Sequence, residues 1–264
     1  MSQLIRQGKL TDAFRPFTGD VFISSRFILA ADTLRYYLYH KNYITMNIIS
    51  ETRKIENVSR VVLREYGQLF ISQGDRESLS LEGQDDVLSM VRSDVRNGEL
   101  LLDIEGGWWD RTWRAITSTV EGKPLKYHLT LKKLDGLFVS GAARVRSKGF
   151  RFENFQMIMK GAGEIVMTDI EAVNLDIEMP GAGLINLSGS AENQKVWIKG
   201  AGSYDCPRLK TDNAEVKLHG VGRARVWAVK SLDARVDGVG HIEYYGEPDV
   251  RRSVSGLGKI SQTR

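Results

Sequence analysis

Met157-Ile-Met-Lys-Gly-Ala-Gly163, Ile177-Glu-Met-Pro-Gly-Ala-Gly183 and Val196-Trp-Ile-Lys-Gly-Ala-Gly202 are three readings of one pattern. With its looser copies, the pattern sets a first glycine at Gly141, Gly161, Gly181, Gly200, Gly220, Gly238 and Gly256, spaced by 20, 20, 19, 20, 18 and 18 residues. A second glycine follows two residues later in all copies but the first, so 13 of the chain's 26 glycines belong to this ladder. Self-similarity at a fixed short period marks a repeat architecture.

Aligning the copies on the first glycine exposes columns. Four residues before it stand Leu137, Met157, Ile177, Val196, Val216, Ala234 and Arg252; two before it stand Val139, Met159, Met179, Ile198, Leu218, Val236 and Val254. Four after it come Val145, Ile165, Ile185, Tyr204, Ala224, Ile242 and Ile260; six after it come Ser147, Met167, Leu187, Cys206, Val226, Tyr244 and Gln262. Between these lie mostly polar residues, among them Asp176, Glu178, Lys195, Lys199, Glu215, Lys217, Arg223 and Arg225. Alternation with period two marks strands with one buried face. The last copy, with Arg252 and Gln262 in apolar columns, has the polar character of a terminal cap. The expected fold is therefore all-β: a β-solenoid of 18–20-residue coils, taken as right-handed, each with two or three short strands. Glycine at the mark is expected to supply either a bend with positive φ or room for close backbone approach.

Two other repeats of similar length fit less well. A leucine-rich repeat needs a Leu-x-x-Leu-x-Leu pattern, which is absent. A hexapeptide helix needs an apolar residue at every sixth position, and Arg151, Glu171, Lys210 and Lys230 occupy the third such place.

Composition narrows the function. Residues 1–60 carry nine Lys/Arg against five Asp/Glu, while 61–264 carry 28 of each, so the ladder body is electroneutral. A nucleic-acid module concentrates basic residues on its working face, and this chain does not. No apolar run reaches the length of a membrane span, and the first residues lack the apolar core of a signal peptide. A single cysteine, Cys206, excludes an intrachain disulfide and a Cys-based zinc site.

The stretch from Thr52 to Gln262 resembles the putative auto-transporter adhesin head GIN domain family. The likeness rests on three stretches: Val58-Ser-Arg-Val-Val-Leu through Leu69-Phe-Ile-Ser-Gln-Gly-Asp to Asn97-Gly-Glu-Leu-Leu-Leu, the Gly-Ala-Gly ladder, and Ile242-Glu-Tyr-Tyr-Gly-Glu-Pro-Asp-Val with Val254-Ser-Gly-Leu-Gly. The resemblance implies a solenoid-like all-β fold, an exported or cell-surface setting and an adhesin-like role. It carries no catalytic residues and no cofactor. Residues 52–264 are read as the solenoid domain. Residues 1–51 lie outside the match and read as an extension, with a helix over 25–40 and a strand over 43–49, or as a misassigned start with translation from Met46.

Candidate chemistry is sparse. His40, His128, His219 and His241 show no ligand spacing, and no nucleophile elbow or phosphate loop is present. Asp176 and Glu178 stand two apart on one strand, a suitable separation for glycoside hydrolysis, but Trp197 and Lys199 on the next coil break the acidic cluster. Asp233, Asp237 and Glu215 read as a solvated face. Aromatics are the better lead. Trp108, Trp109 and Trp113 crowd an insertion between strands expected near 99–105 and 125–131, as a lid or as a stacking platform. Trp197 is expected on an outward column beside Lys195 and Lys199, and Cys206 on an inward one as an inert thiol. The reading is a non-enzymatic, adhesin-like solenoid with a glycan or envelope component as partner. A polysaccharide-active enzyme and a self-assembling homo-oligomer are its alternatives.

Overall fold

The computed structural model describes residues 48–105 and 124–263. The expected helix over 25–40, most of the expected strand over 43–49, and Trp108, Trp109 and Trp113 lie outside these residues.

The strands in chain order are β1 (Ile48–Arg53), β2 (Arg60–Leu63), β3 (Gly67–Gln73), β4 (Ser78–Gln84), β5 (Val91–Arg96), β6 (Glu99–Ile104) and β7 (Lys126–Leu131), with a one-turn helix α1 (Asp85–Leu88) between β4 and β5. Then follow β8 (Gly136–Val139), β9 (Ala142–Lys148), β10 (Arg151–Met159), β11 (Ala162–Met179), β12 (Ala182–Ile198), β13 (Ala201–Leu218), β14 (Val221–Val236), β15 (Val239–Tyr245), β16 (Asp249–Val254) and β17 (Leu257–Gln262). Hydrogen bonds join all of them into one continuous 17-stranded sheet. From β8 onward each strand pairs in parallel with the strand about one coil later, for example Ile165 with Ile185 and Ile177 with Val196. This is a β-solenoid of about six turns.

Within a coil the inward phase shifts twice. Along β11 the inward residues run Ile165 and Met167, then Ile170, then Leu175, Ile177 and Met179. Each shift turns the chain, so a coil has three faces: a first around 164–168, a second around 170–173 and a third around 175–179. The expected columns are buried in every copy up to the last, where Arg252 and Val254 are exposed. Each buried Leu, Ile, Val or Met contributes about 1.5–3 kcal/mol, and stacking in register lets each column exclude water along its length.

The ladder glycines work by close approach. A Cβ on Gly161 would lie 1.9 Å from the carbonyl oxygen of Gly141; on Gly181 it would meet Lys160 O at 2.2 Å and Gly161 O at 2.3 Å, and on Gly220 the Gly200 oxygen at 1.9 Å. That same oxygen accepts the N–H of the residue after the next glycine: Ala162 to Gly141 at 3.2 Å, Val221 to Gly200 at 3.0 Å, Val239 to Gly220 at 2.9 Å. Coil therefore sits on coil at backbone distance. Positive φ is used mainly at the opposite corner, between first and second faces, where Gly149 has φ +71° and Asp169 φ +56°. Of the two roles expected for the mark, proximity is the one that the first glycines play.

At the N-terminal end, spatial order departs from chain order. β2 is stacked in parallel between β6 and β8, and β3 between β7 and β9. Beyond this coil the pairing turns antiparallel: β5 lies on β6, β4 on β7, and β1 on β4. Arg53 fastens this end, donating to Leu88 O at 3.1 Å, to Ser93 Oγ at 3.1 Å and to Val91 O. Antiparallel strands cannot continue a solenoid, so they terminate the stack.

Gly220→Ala should cost more than about 4 kcal/mol, because its methyl collides with backbone that cannot move independently. Gly149→Ala meets nothing within 4 Å, and should cost only the ~1–2 kcal/mol of a left-handed alanine. Urea unfolding of the two variants checks this, and equal losses would contradict the stacking account.

Candidate functional site

On the third face, side chains at one, three and five residues before each ladder glycine point outward, and they stack in register between coils. One row runs Asp176, Lys195, Glu215 and Asp233; the next runs Glu178, Trp197, Lys217 and Arg235. Between adjacent coils, Lys199 Nζ lies 2.7 Å from Glu178, bridging back one coil. Within a strand, Lys217 reaches Glu215 at 2.6 Å and Arg235 reaches Asp233 at 3.1 Å. Such exposed pairs are each worth about 0–1 kcal/mol. They favour the correct register more than they stabilise the fold.

Trp197 is at the centre of this face, 41% exposed. Its indole N–H donates to His219 Nδ1 at 3.0 Å. His219 Nδ1 must then carry the lone pair, which puts the ring proton on Nε2, 3.1 Å from the Asp237 carboxylate. Asp237 in turn accepts from Ser255 Oγ at 2.7 Å. The Lys199 ammonium sits 3.7 Å from the indole centroid, a cation–π contact that helps to hold the ring. Four coils thus contribute to the setting of one tryptophan.

The corner between second and third faces holds a feature that the apolar columns did not reveal. Seven residues before successive ladder glycines stand Asn154, Asn174, Asn193, Asn213 and Ser231. Their side chains form one hydrogen-bonded column: Asn174 Nδ2 donates to Asn154 Oδ1 at 2.9 Å, Asn193 to Asn174 at 3.0 Å, Asn213 to Asn193 at 3.0 Å, and Ser231 Oγ to Asn213 Oδ1 at 2.8 Å. An open groove of about 600 Å³ runs beside it, lined by Asn154, Asn174 and Asn193 with Asp135, Asp176 and Lys195. The signal was present in the sequence as a fifth column, polar rather than apolar.

Cations engage two of the third-face carboxylates, Asp233 and Glu178. A general acid needs its pKa raised, whereas the hydrogen bond from Arg235 holds Asp233 below the usual carboxylate range. Glu178 is engaged by Lys199, and Asp176 faces Lys195 across the strands. Among the described residues no group of three His, Cys, Asp or Glu is set to hold a metal ion. Cys206 points into the core, accepting from Leu187 N at 3.1 Å. Burial pushes its thiol up to about 12.

A family profile described as putative auto-transporter adhesin, head GIN domain, matches residues 57–248. Among solved structures, a putative adhesin from Bacteroides fragilis is 23% identical with a TM-score of 0.75, the match covering 82% of this chain and 97% of that one. A putative lipid binding protein from Parabacteroides distasonis is 19% identical with a TM-score of 0.57, covering 83% and 97%. A putative adhesin from the same organism is 18% identical with a TM-score of 0.59, covering 83% and 98%. At these identities the likeness is one of fold. Among curated proteins, none matches the chain.

Cys206 should resist thiol reagents in the folded protein at pH 7–9, since its folded-state pKa lies above that window and the thiolate is the reactive form. Labelling should appear only in step with denaturant unfolding; native labelling at the rate of a free thiol would contradict the burial.

Proposed function

The chain belongs to the putative auto-transporter adhesin, head GIN domain family, and on that premise we propose that it is a non-enzymatic binding solenoid of the cell envelope whose ligand is a glycan. The observation that carries this reading is the asparagine column beside its groove. Each internal asparagine uses one amide hydrogen and one oxygen lone pair on its neighbours. One donor and one acceptor are left over at each step, repeating every ~4.8 Å along the solenoid. Sugar hydroxyls both donate and accept, so a chain of them complements such a row. The column fixes the amides before any ligand arrives, which reduces the ordering cost of binding. Lys195 and Asp176 line the same groove, and Trp197, two residues beyond Lys195 on β12, is 41% exposed on the same face.

Self-association is a second reading, favoured by the far end of the stack. There β17 pairs with β15, Leu257 is 79% exposed and Val254 45% exposed. Open strand edges with apolar side chains invite pairing with another copy. Sedimentation across a hundredfold concentration range should then show association that Leu257→Asp abolishes.

The glycan reading is tested with a panel of glycans and cell-wall fractions, using wild type, Asn174→Ala/Asn193→Ala and Trp197→Ala, with thermal unfolding as the fold control. Wild type should bind, and the double asparagine variant should lose about tenfold or more, near the ~1–3 kcal/mol of groups left unsatisfied. Wild type that binds nothing in the panel overturns the proposal.

A further inference from the structure

A second constellation lies away from the asparagine groove. Three successive coils place Lys210, Trp227 and Tyr245 at one register position, Lys210 opposite Trp227 and Trp227 opposite Tyr245. The two rings have centroids 6.4 Å apart with 36° between their planes. Trp227 is 36% exposed and rests on Gly246, where a Cβ would come within 3.1 Å of the indole nitrogen. Arg225, two residues before Trp227, pairs with Asp205 on the preceding coil.

The strand beneath is fixed from the core. Tyr204 Oη donates to Gln194 Oε1 at 3.0 Å, Gln194 Nε2 to Thr211 Oγ1 at 2.6 Å, and Thr211 Oγ1 to the carbonyl oxygen of Trp227 at 2.6 Å. All three donors are buried. A pair of aromatic rings on so constrained a backbone is a preorganised stacking surface.

The charges beside it are mixed, with Lys210, Arg208 and Lys230 set against Asp212 and Glu192, and Lys210 shares a pocket with both acids. Lys210 and Arg208 are exposed, and among the described residues neither has a carboxylate within 4 Å. Asp212, two residues beyond Lys210, is taken by Lys230 at 2.9 Å. Lys210, in register with Trp227, and Arg208, two residues before Lys210 on the same strand, are unpaired cations that suit an anion which also carries a stackable face. A pyranose presents such a face through its axial C–H groups, and a hexuronate adds the carboxylate.

We propose that Lys210, Trp227 and Tyr245 form a binding site for a hexuronate residue of an acidic polysaccharide, the rings stacking on the sugar while Lys210 and Arg208 hold its carboxylate. This goes beyond the reading above, since it uses different residues and a charged ligand. Isothermal titration with trigalacturonate, oligomeric alginate and oligomeric hyaluronate, against the methyl ester of trigalacturonate, tests it. At least one acid should bind, more weakly as salt rises, and the ester should bind tenfold or more weaker than trigalacturonate if that is the acid bound. Trp227→Ala should lose tenfold or more, Trp227→Phe should keep most of the affinity, and Lys210→Ala/Arg208→Ala should lose affinity for the acid but not for the ester. Asn174→Ala/Asn193→Ala should leave acid binding unchanged, which separates this site from the groove. Failure of all three acids to bind wild type, or acid binding that survives Trp227→Ala in a protein of unchanged thermal stability, overturns the proposal.

Discussion

The contact between the α-carbon of one ladder glycine and the backbone carbonyl beneath it sets the terms for everything else in this molecule. Seven first glycines meet the coil below at distances where a Cβ would lie between 1.9 and 2.2 Å from an oxygen. Real side chains never occupy that space, so the corner is available to glycine alone. Because the carbonyl beneath is also a hydrogen-bond acceptor for the coil above, the corner fixes both the height and the phase of each coil. Once phase is fixed at one corner, the inward columns follow, and a one-residue slip would move a whole apolar set to the solvent side.

Stacking in register has opposite consequences for different outward side chains. Carboxamides gain from an identical neighbour one coil away, since each donates and accepts, and the corner column accordingly keeps asparagine from Asn154 to Asn213. Charges lose from an identical neighbour, and the row through Asp176, Lys195 and Glu215 alternates sign. Where two acids do fall in adjacent coils, as at Glu215 and Asp233, each is met by a cation two residues further on its own strand, Lys217 and Arg235. The outer surface is therefore a set of ordered rows whose chemistry differs from face to face. A repeat scaffold of this kind can carry more than one recognition surface without altering its core.

The coils were legible in the sequence because their signal is local: a fixed glycine mark with apolar residues at two and four before it and four and six after it. The N-terminal end was not. Which strand stacks on which there depends on pairings distant in sequence, and no periodicity says that β2 inserts between β6 and β8. The sequence supported either of two roles for the ladder glycines, and the structure divides them: the first glycines serve by close approach, while positive φ falls at Gly149 and Asp169 on the other side of the coil and at the second glycines Gly163 and Gly240. At the candidate site, Trp197 was visible because it broke a polar column. The asparagine column escaped notice because it sits at a corner, outside the alternation that a strand pattern detects. Trp227 escaped for a different reason: its register neighbour Lys210 lies beyond a shift in pairing that the spacing of glycines does not reveal.

That shift also explains the polar side chains in an otherwise apolar core. The coil from Gly200 to Gly220 has 20 residues and the next has 18, so β13 and β14 cannot stay in step around the whole turn. Pairing breaks between Asp205 and Lys210 on one strand and between Arg225 and Trp227 on the other. A buried carbonyl that loses its ladder partner costs about 1–3 kcal/mol unless something replaces it. Thr211 supplies the hydrogen to Trp227 O, and the hydroxyl is itself satisfied by Gln194, whose oxygen takes the hydrogen of Tyr204. The chain of three donors runs in a single direction and leaves no member of it without a partner. A purely apolar filling of the same volume would leave the Trp227 carbonyl without that hydrogen. The network thus follows from a change in coil length, and its last bond holds in place the strand that presents the exposed indole.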